Sequence, residues 1–489
     1  AWVNGKRITS WRVSAFPGSA GVDSLTNSTV LHTLGAKANV SQYFDGYLAE
    51  SVLINGSALE PTSFAEYDPT GTFWVPKSPA VIKALTFGST GFYLDNATNA
   101  QTDAGSEGNN FTNNNTVLTS SHTCTNMFNL FNSFDHTTGA NFVLSNGNQT
   151  ADADATNKWG TCTLPVKTGK WFAVATTTDA NSRRFGVVSN QEGLYDLGSG
   201  AIPTDQSYGW AVGLSNNTTI AARNSSTNIT GTIQTIDRTE DRYVVAIDCD
   251  NKKLWLGVYD QSAGNIQYVD SGGTVRTTDV PASGSNETYT LTGTSWRFFC
   301  EHGDTGSAQT IDFGQNSFNS ATVPTGFNTS LNTTAIAAAT TRTKSDLSEY
   351  FESIVYEGNG LGQTVGRHLP FTNSYTVAKS GLFQLVATGQ NAGNDSLQST
   401  SALANGTSNQ KFTFSFWFKV SHGHADMSTN SYVFNHSNDD SGLYSGILFS
   451  SANKLEFHTF AGSNTQRIVS IDTPIFDQSK WYHAVCALM

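Results

Sequence analysis

The strongest constraint on the fold is a repeated alternation of apolar and polar residues, a period of two that suits β-strands and not helices. It is clearest in residues 412–420, FTFSFWFKV. Phenylalanines at every second position from Phe412 to Phe418 share one face, and Trp417 lies on the other. We therefore predict an all-β chain in which this strand buries a row of rings and its second face is not simply solvated.

Length and composition agree with this prediction. A chain of 489 residues is long enough for two or three domains. Only 13 % of the residues are charged, whereas turn-forming glycines number 44. The 30 Phe, 16 Tyr and 10 Trp supply enough apolar surface for packed cores, which argues against intrinsic disorder.

The formal net charge of −12 argues against nucleic acid as a partner, because no basic stripe is present to neutralise phosphates. It argues equally against an anionic membrane surface. The apolar runs, such as YVVAID, have the length of strands and not of membrane spans. We predict neither nucleic-acid binding nor membrane insertion.

Five cysteines lie far apart and without metal-ligand spacing, at Cys124, Cys162, Cys249, Cys300 and Cys486. An odd number of scattered cysteines predicts neither a disulfide framework nor a zinc site. We expect buried free thiols in a protein assembled in a reducing compartment.

The alternation is interrupted in two places. Residues 86–125 are polar with little periodicity and are predicted to be a linker. A second linker is predicted at 331–365, where AIAAATT is the best, though short, helical candidate in the chain. At the start of the chain, Asn4-Gly5 between two short apolar runs predicts a β-hairpin.

The end of the chain resembles the first half of a LamG/concanavalin A-like jelly-roll domain, through KFTFSFWFKV and FDQSKWYHAVCAL. The features that follow in that family resemble the start of this chain, AWVNGKRITSW and FDGYLAE with LEPTSFAEYD. This combination is similar to LamG-type modules of bacteriophage fibres and related viral proteins.

The middle of the chain resembles a SPRY (B30.2) sandwich of the kind found in phage tail fibres. The similar stretches are TGKWFAVATTTDANSRRFGVVSN, EDRYVVAIDCDNKKLWLGVYD and SWRFFCEHGDTGSAQTIDFGQNSF. Asp248 and Asn251 fall at the turn of the second stretch. The chain departs from the family at LGVYDQSAG, where the usual Asn-Gly is absent.

The resemblances divide the chain into five predicted segments. Residues 1–85 are the C-terminal half of a LamG-like sandwich, 126–330 are a SPRY-like β-sandwich, and 366–489 are the N-terminal part of a LamG-like sandwich. The linkers 86–125 and 331–365 separate them. The predicted architecture is thus jelly-roll elements at both ends, bracketing a SPRY-like sandwich.

Half a sandwich would expose a long apolar face and unpaired strand edges. Three arrangements complete the halves. The sequence is a window on a longer chain of repeated modules, or one subunit completes the next in a head-to-tail assembly, or the two ends form one permuted sandwich within the chain.

Jelly-roll folds also carry glycoside hydrolases, which need two facing carboxyl groups roughly 5–10 Å apart. The sequence has no strand with acidic residues at alternate positions. Glu456 and His458 share a face, but one carboxylate and one imidazole do not make a hydrolase. We predict no catalytic residues. His422 and His424 have no third metal ligand at a useful spacing.

Calcium is the one ion for which the sequence offers a site, although no cofactor is required. LamG modules hold Ca²⁺ through hard oxygen ligands in rim loops, and the resemblance implies Asn438, Asp439 and Asp440 as ligands. A solvated turn is the alternative interpretation of the same residues.

Rim loops of sandwiches also carry aromatic rings that stack on sugars. The candidate sugar-binding rings are Tyr208, Trp210 and Tyr259. Core positions are the alternative for them, as for Trp255.

Together, the resemblances imply a non-enzymatic viral, phage-type fibre or surface protein on the exterior of the virion. It would adhere to a host surface polysaccharide or glycan and associate with copies of itself, as a trimer or a head-to-tail assembly. The alternatives are a purely structural fibre, filament or capsid-decoration protein, and a polysaccharide lyase or hydrolase.

Overall fold

A computed structural model describes most of the chain in two compact units. The terminal unit comprises Ala1–Asn126, Ser145–Gly147 and Phe371–Met489, and the central unit comprises Met127–Leu144 and Asn148–Pro370. The described residues are 1–14, 30–37, 42–68, 71, 73–115, 117–137, 142–153, 155–177, 183–189, 202–225, 227–235, 237, 242–278, 280–303, 308–339, 375–384, 395–399, 411–421, 430–437, 444–450, 454–461, 465–471 and 480–488.

Two antiparallel sheets form the terminal unit. In spatial order, sheet I contains β10 (Leu118–Ser120), β27 (Ser380–Phe383), β5 (Gly46–Asn55), β29 (Phe412–Val420), β34 (Tyr482–Leu488), β1 (Trp2–Val3) and β2 (Lys6–Arg7), with β8 (Phe92–Leu94) also paired to β5. Sheet II contains β3 (Trp11–Ser14), β33 (Thr465–Ile471), β32 (Leu455–Ala461), β31 (Tyr444–Phe449), β30 (Ser431–Ser437), β4 (Leu31–Leu34), β28 (Ser396–Ser399) and β9 (Phe111–Asn114).

Strands from the two ends of the chain pair with each other in sheet I. Trp2 lies opposite Val485, and β29 pairs with β5 on one side and with β34 on the other. Of the three arrangements considered above, this pairing within one chain is the one that the structure contains. The apolar face of each half is covered by strands of the other.

The row of phenylalanines on β29 lies in the core between sheets I and II, as predicted. Phe414, Phe416 and Phe418 are fully buried there, and Phe412 nearly so. Phe414 stacks on Phe434 of the opposite sheet, with ring centroids 4.3 Å apart. The other face of β29 is buried too, since Trp417 is only 5 % exposed.

The predicted hairpin at the start of the chain is confirmed. Trp2 pairs with Arg7 and Val3 with Lys6, so Asn4 and Gly5 form a two-residue turn. Both have positive φ, 47° and 76°, which is the conformation that favours Asn-Gly in such turns.

The prediction of a linker at residues 86–125 was wrong. This segment contains β8, β9 and β10, which pair within sheets I and II. Strands β9 and β10 are short and lie at the edges of their sheets, where one side of the strand has no partner strand among the described residues. An edge strand tolerates polar residues, and so its apolar periodicity is weak.

Two antiparallel sheets also form the central unit. Sheet III contains β11 (Phe131–His136), β14 (Lys158–Cys162), β25 (Trp296–His302), β16 (Arg183–Ser189), β17 (Gly209–Asn216), β18 (Thr219–Asn224) and β19 (Thr227–Thr232). Sheet IV contains β12 (Phe142–Ser145), β13 (Thr150–Ala153), β26 (Gln309–Asp312), β15 (Lys170–Thr177), β20 (Arg242–Asp248), β21 (Lys253–Asp260), β22 (Asn265–Val269) and β23 (Val275–Arg276), with β24 (Tyr289–Thr290) also paired to β21. The all-β fold class is therefore confirmed.

The remaining elements are short. They are the two-stranded sheet β6 (Ala65–Tyr67) and β7 (Trp74–Pro76), the helices α1 (Pro79–Lys83), α2 (Val280–Ser283) and α3 (Thr333–Ala339), and the 3₁₀ turns Pro61–Ser63, Pro203–Asp205 and Ser317–Ser320. Helix α3 lies where the helix was predicted; residues 340–374, which include most of the second predicted linker, are outside the described residues. In the described part of the chain, no helix is long and apolar enough to cross a membrane.

The predicted turn between β20 and β21 is confirmed by its hydrogen bonds. Asp248 accepts from the backbone N–H of Asn251 at 3.0 Å and from its side-chain amide at 2.9 Å. Lys170 lies 3.2 Å from the same carboxylate. The carboxylate thereby holds the ends of three neighbouring backbone segments in register.

The segment Ser317–Ser320 has positive φ at four consecutive residues that are not glycine. Asp312, fully buried, accepts hydrogen bonds from the backbone N–H groups of Gly314 and Asn316. Left-handed backbone costs roughly 1 kcal/mol or more per non-glycine residue. The converging N–H groups on one buried carboxyl and the burial of Phe318 offset that cost.

This strain predicts that Ser317→Gly and Ser320→Gly each stabilise the central unit by about 1 kcal/mol, because glycine adopts positive φ without a steric penalty. Both serines are exposed, so the change affects little besides the backbone. Thermal unfolding followed by circular dichroism measures the effect. Ser271→Gly, at an exposed turn residue without positive φ, is the control, and it should not raise the melting temperature. Equal melting temperatures of all three variants would show that the backbone of Ser317–Ser320 is not strained.

Candidate functional site

Two of the three predicted sugar-binding rings lie in the core and cannot contact a ligand. Trp210 on β17 is 3 % exposed and packs between the sheets of the central unit, and Tyr259 on β21 is 6 % exposed in a second cluster with Trp255. Both residues are in strands and not in loops, and strand alternation turns their rings inward. The prediction for these two residues was wrong.

Tyr208 is different, because its ring is half-buried just before β17. It packs against a small cluster formed by Trp159, Val188, Ile202, Ala211 and Phe299. Tyr208 therefore stays a candidate ligand contact.

The predicted calcium ligands Asn438, Asp439 and Asp440 lie outside the described residues, and so do His422 and His424. Within the described ranges, no group of three or more His, Cys, Asp or Glu side chains could hold a metal ion. The five cysteines are free thiols, as expected. Burial raises the pKa of each, that of Cys300 to about 12, which keeps the sulfurs protonated and unreactive.

The most exposed large aromatic side chain among the described residues is Tyr67, at 47 %. It ends β6, where Ala65 points inward and is fully buried. Strand β7 pairs Trp74 directly with Tyr67, and the two rings meet edge to face with centroids 5.0 Å apart. The short two-stranded sheet thus presents one open ring on a fixed base.

The base of Tyr67 continues inward as a ladder of rings. The indole N–H of Trp74 donates to Nδ1 of His483 at 2.9 Å, and the His483 ring stacks on Trp417 with centroids 4.8 Å apart. Trp417 belongs to β29 and His483 to β34. Tyr67, Trp74, His483 and Trp417, which we call the aromatic ladder, therefore connect the surface to the central strands of sheet I.

Glycine at position 5 makes room for the ladder. A Cβ atom there would lie 2.7 Å from the Trp74 ring, and φ is 76°. Any larger residue would displace the indole from His483. The Asn-Gly turn therefore both closes the first hairpin and seats Trp74.

Charged groups lie on the other face of the two-stranded sheet, because successive residues of a strand point to opposite sides. Glu66, which precedes Tyr67, lies 3.8 Å from Nζ of Lys77 in an exposed pair. Lys77 also donates to the carbonyl of Thr62 at 2.6 Å. An open aromatic ring is a surface with which proteins bind sugars, because a pyranose has an apolar C–H face.

Ser415 and His483 form a serine–histidine pair that is not arranged for nucleophilic catalysis. The two lie 2.8 Å apart through Nε2. An indole N–H can only donate, so Nδ1 of His483 accepts from Trp74 and the proton of the neutral ring is on Nε2. His483 therefore donates to the serine hydroxyl and does not abstract its proton. Burial lowers the pKa of His483 to about 3, which keeps the ring neutral.

Glu50 is the most unusual carboxyl group of the terminal unit. It lies in a bulge of β5, where Glu50 and Ser51 together oppose Phe416, and its φ is 49°. The hydroxyl of Tyr93 donates to Oε2, whereas Oε1 has no hydrogen-bond partner among the described residues. Burial, reinforced by the nearby Asp95, raises the pKa of Glu50 from 4.5 to about 8.

A raised carboxyl pKa is typical of a general acid, but the position of Glu50 argues against that role. The side chain is nearly enclosed, and Asp95, the nearest acidic neighbour, is itself paired with Lys83 at 3.7 Å. Burial is the largest cause of the raised pKa, and Asp95 adds to it. Glu456 and His458, the other pair noted in the sequence, bond to each other at 2.9 Å and are largely buried.

Residues 391–488 match the family model described as "Concanavalin A-like lectin/glucanases superfamily". This part of the chain is lectin-like in fold. The matched stretch includes β29 and β34, which carry the inner rungs of the aromatic ladder. Tyr67 and Trp74, its outer rungs, come from outside the matched stretch.

The chain is also similar to solved structures, at low identity. The PSpry domain of TRIM65 has a TM-score of 0.27 and 11 % identity, over 38 % of this chain and 92 % of that one. The SPRY domain of human HERC1 has a TM-score of 0.26 and 10 % identity, over 37 % and 96 %. Stonustoxin has a TM-score of 0.26 and 10 % identity, over 38 % and 29 %. No curated protein matched the sequence.

Sequence reasoning did not select Tyr67. The stretch SFAEYD served only to support the resemblance to LamG modules. A three-residue strand is too short for alternation to distinguish an inward from an outward ring. The usable signal was the turn-forming composition around Asp68, which indicates a surface hairpin.

The pKa of Glu50 predicts how stability depends on pH. In the unfolded chain the group ionises near 4.5, and in the folded chain near 8, so its stabilising contribution is full below 4.5 and is lost as pH rises through 8. Glu50→Gln should remove this loss and make the terminal unit more stable than the wild type by about 5 kcal/mol near pH 9. Urea unfolding between about pH 5 and about pH 9 measures the slope.

Glu60→Gln, the same change at an exposed carboxylate, is the control and should keep the slope of the wild type. Burial raises the pKa of Asp45 to about 7, so this group also lowers stability as pH rises. Asp45 is present in both variants. A Glu50→Gln protein with an unchanged slope would contradict the assignment.

Proposed function

We propose that the protein is a non-enzymatic carbohydrate-binding protein in which Tyr67 stacks on a sugar ring. The observation that carries the proposal is the exposed Tyr67 ring on its rigid base of Trp74, His483 and Trp417. A ring that is already ordered loses little conformational entropy on binding.

The lectin-like fold of residues 391–488 supports this role, since folds of this superfamily include carbohydrate-binding proteins by its description. The fold alone also allows a glucanase. The Ser415–His483 pair is oriented away from catalysis, and Glu50 is enclosed, which favours binding over bond cleavage. The proposed role requires no cofactor, and a Ca²⁺ site at Asn438, Asp439 and Asp440 stays a prediction.

For the biological setting, we propose a phage-type tail fibre or another external structure of a virion, which attaches to a host surface polysaccharide. The support is the resemblance of both ends of the sequence to LamG-type fibre modules. One stacked ring gives weak affinity, so attachment would depend on several copies, in a trimer or a head-to-tail assembly. Neither nucleic acid nor membrane insertion has a part in this role.

Tyr67→Ala tests the proposal, with neutral polysaccharides as ligands. A glycan array with the wild type identifies a binder, and calorimetry then compares variants. Loss of the stacked ring should weaken binding about tenfold, whereas Tyr67→Phe should keep most of the affinity. Leu118→Ala, which removes another exposed apolar side chain of the terminal unit at 46 % exposure, is the matched control.

The same preparation separates the rival functions. A wild-type protein that binds no saccharide would favour a purely structural fibre. Polysaccharide that becomes shorter during incubation would refute the non-enzymatic role. Equal affinities of the Tyr67→Ala and Leu118→Ala proteins would show that sugars bind elsewhere.

A further inference from the structure

The outer surface of sheet III carries a row of residues that face the same side. Glu301 on β25 pairs with Arg184 on β16, Arg184 with Gly213 on β17, and Gly213 with Ala221 on β18. Residues directly opposite each other in antiparallel strands share a face. The row therefore runs across four strands, from a carboxylate and a guanidinium to two residues with almost no side chain.

Arg184 is held in place by buried groups. Its guanidinium forms an ion pair with Glu301, which is fully buried, and donates to Oγ1 of Thr204 at 3.2 Å. Thr204 in turn donates to the Glu301 carboxylate through its hydroxyl at 2.8 Å and its backbone N–H at 3.2 Å. These contacts fix the Arg184 side chain and neutralise its charge.

Arg223 adds a second guanidinium whose charge is not neutralised in this way. It lies on β18 two residues beyond Ala221, so it shares the face of Ala221. It is half-buried, and none of the residues that the structure describes forms a hydrogen bond or an ion pair with its guanidinium group. The guanidinium of Arg223 therefore carries a positive charge that no described carboxylate pairs with, in a chain whose net charge is −12.

The small residues between the arginines leave a small depression of about 20 Å³, lined by Arg183, Arg184, Gly213, Leu214, Ala221 and Arg223. A Cβ atom on Gly213 would lie 2.8 Å from the carbonyl oxygen of Arg183 and 3.0 Å from Cγ of Arg184. Only glycine at position 213 keeps the floor of this depression open.

We infer that this depression binds the oxyanion, a carboxylate or sulfate, of an acidic polysaccharide, with Arg223 as the main contact and Arg184 as a fixed second donor. Guanidinium groups bind planar oxyanions through paired hydrogen bonds. The saccharide as carrier rests on the proposed function. It is supported by Tyr208, which packs on the cluster containing Ala211, the residue that pairs with Arg223.

The test uses the full chain and two forms of one polymer, a polygalacturonate oligosaccharide and its methyl ester, which lacks the charge. Calorimetry should show binding of the acid form, weaker with added salt because screening reduces the attraction, and at least about tenfold weaker binding of the ester. Arg223→Gln should weaken binding of the acid form about tenfold, and Arg223→Lys less, because it keeps the charge.

Lys252→Asn is the matched control, since it removes one positive charge from an exposed turn of the central unit and should leave the affinity unchanged. Equal affinities of Arg223→Gln and Lys252→Asn would overturn the proposal, and so would equal binding of acid and ester. No binding of polygalacturonate or of a sulfated oligosaccharide would also overturn it. Binding of a phosphoserine peptide in place of either saccharide would overturn the choice of carrier.

Tyr67→Ala separates this site from the one in the proposed function. It should weaken the binding of neutral polysaccharides and leave the effect of Arg223→Gln on the acid form intact. If Arg223→Gln leaves the binding of the acid form unchanged while Tyr67→Ala weakens the binding of neutral polysaccharides, only the anion site is refuted.

Discussion

The pairing of β29 with β5 and β34 is the interaction on which the terminal unit depends. Nine residues of β29 lie between strands that come from opposite ends of the sequence, with Thr413 opposite Ile54 on one side and Ala487 on the other. Contacts between residues so far apart in sequence form late, because a long loop must close before they contribute. We therefore expect the terminal unit to be the slower of the two to fold.

The two faces of β29 have different roles. One face contributes the phenylalanine row to the core, and the other contributes Trp417 and Ser415 to the surroundings of His483. Because the backbone of β29 is fixed by two neighbours and by a core, the rings on its second face are fixed as well. The exposed ring of Tyr67 is rigid because it ends a ladder that starts on this strand.

Alternation in the sequence predicted the strands and the buried phenylalanines, and Asn4-Gly5 predicted the first hairpin. Strands, their alternating faces and two-residue turns all depend on local geometry. Residues 86–125 were misread because edge strands need no apolar period. Trp210 and Tyr259 were wrongly assigned to loops. A stretch such as QSYGW has the composition of a loop, but it begins a strand whose rings turn inward. Which face of a strand is covered depends on segments distant in sequence, and alternation does not contain that information.

The same limit explains why the anion site had to come from the structure. A buried charge in a protein is paired or neutral, and three buried groups among the described residues follow this rule. Arg184 is paired with Glu301, Arg297 lies 2.7 Å from Asp135, and Glu50 keeps its proton because burial raises its pKa to about 8. In the sequence, Arg184 and Arg223 look equivalent. Only the cross-strand register shows that Glu301 neutralises the first and leaves the charge of the second beside a floor of glycine and alanine. A ligand on this face would therefore be attracted by the charge of Arg223 and oriented by the hydrogen bonds of Arg184. For this reason we expect Arg223→Gln and Arg223→Lys to affect binding differently from each other and from the control Lys252→Asn.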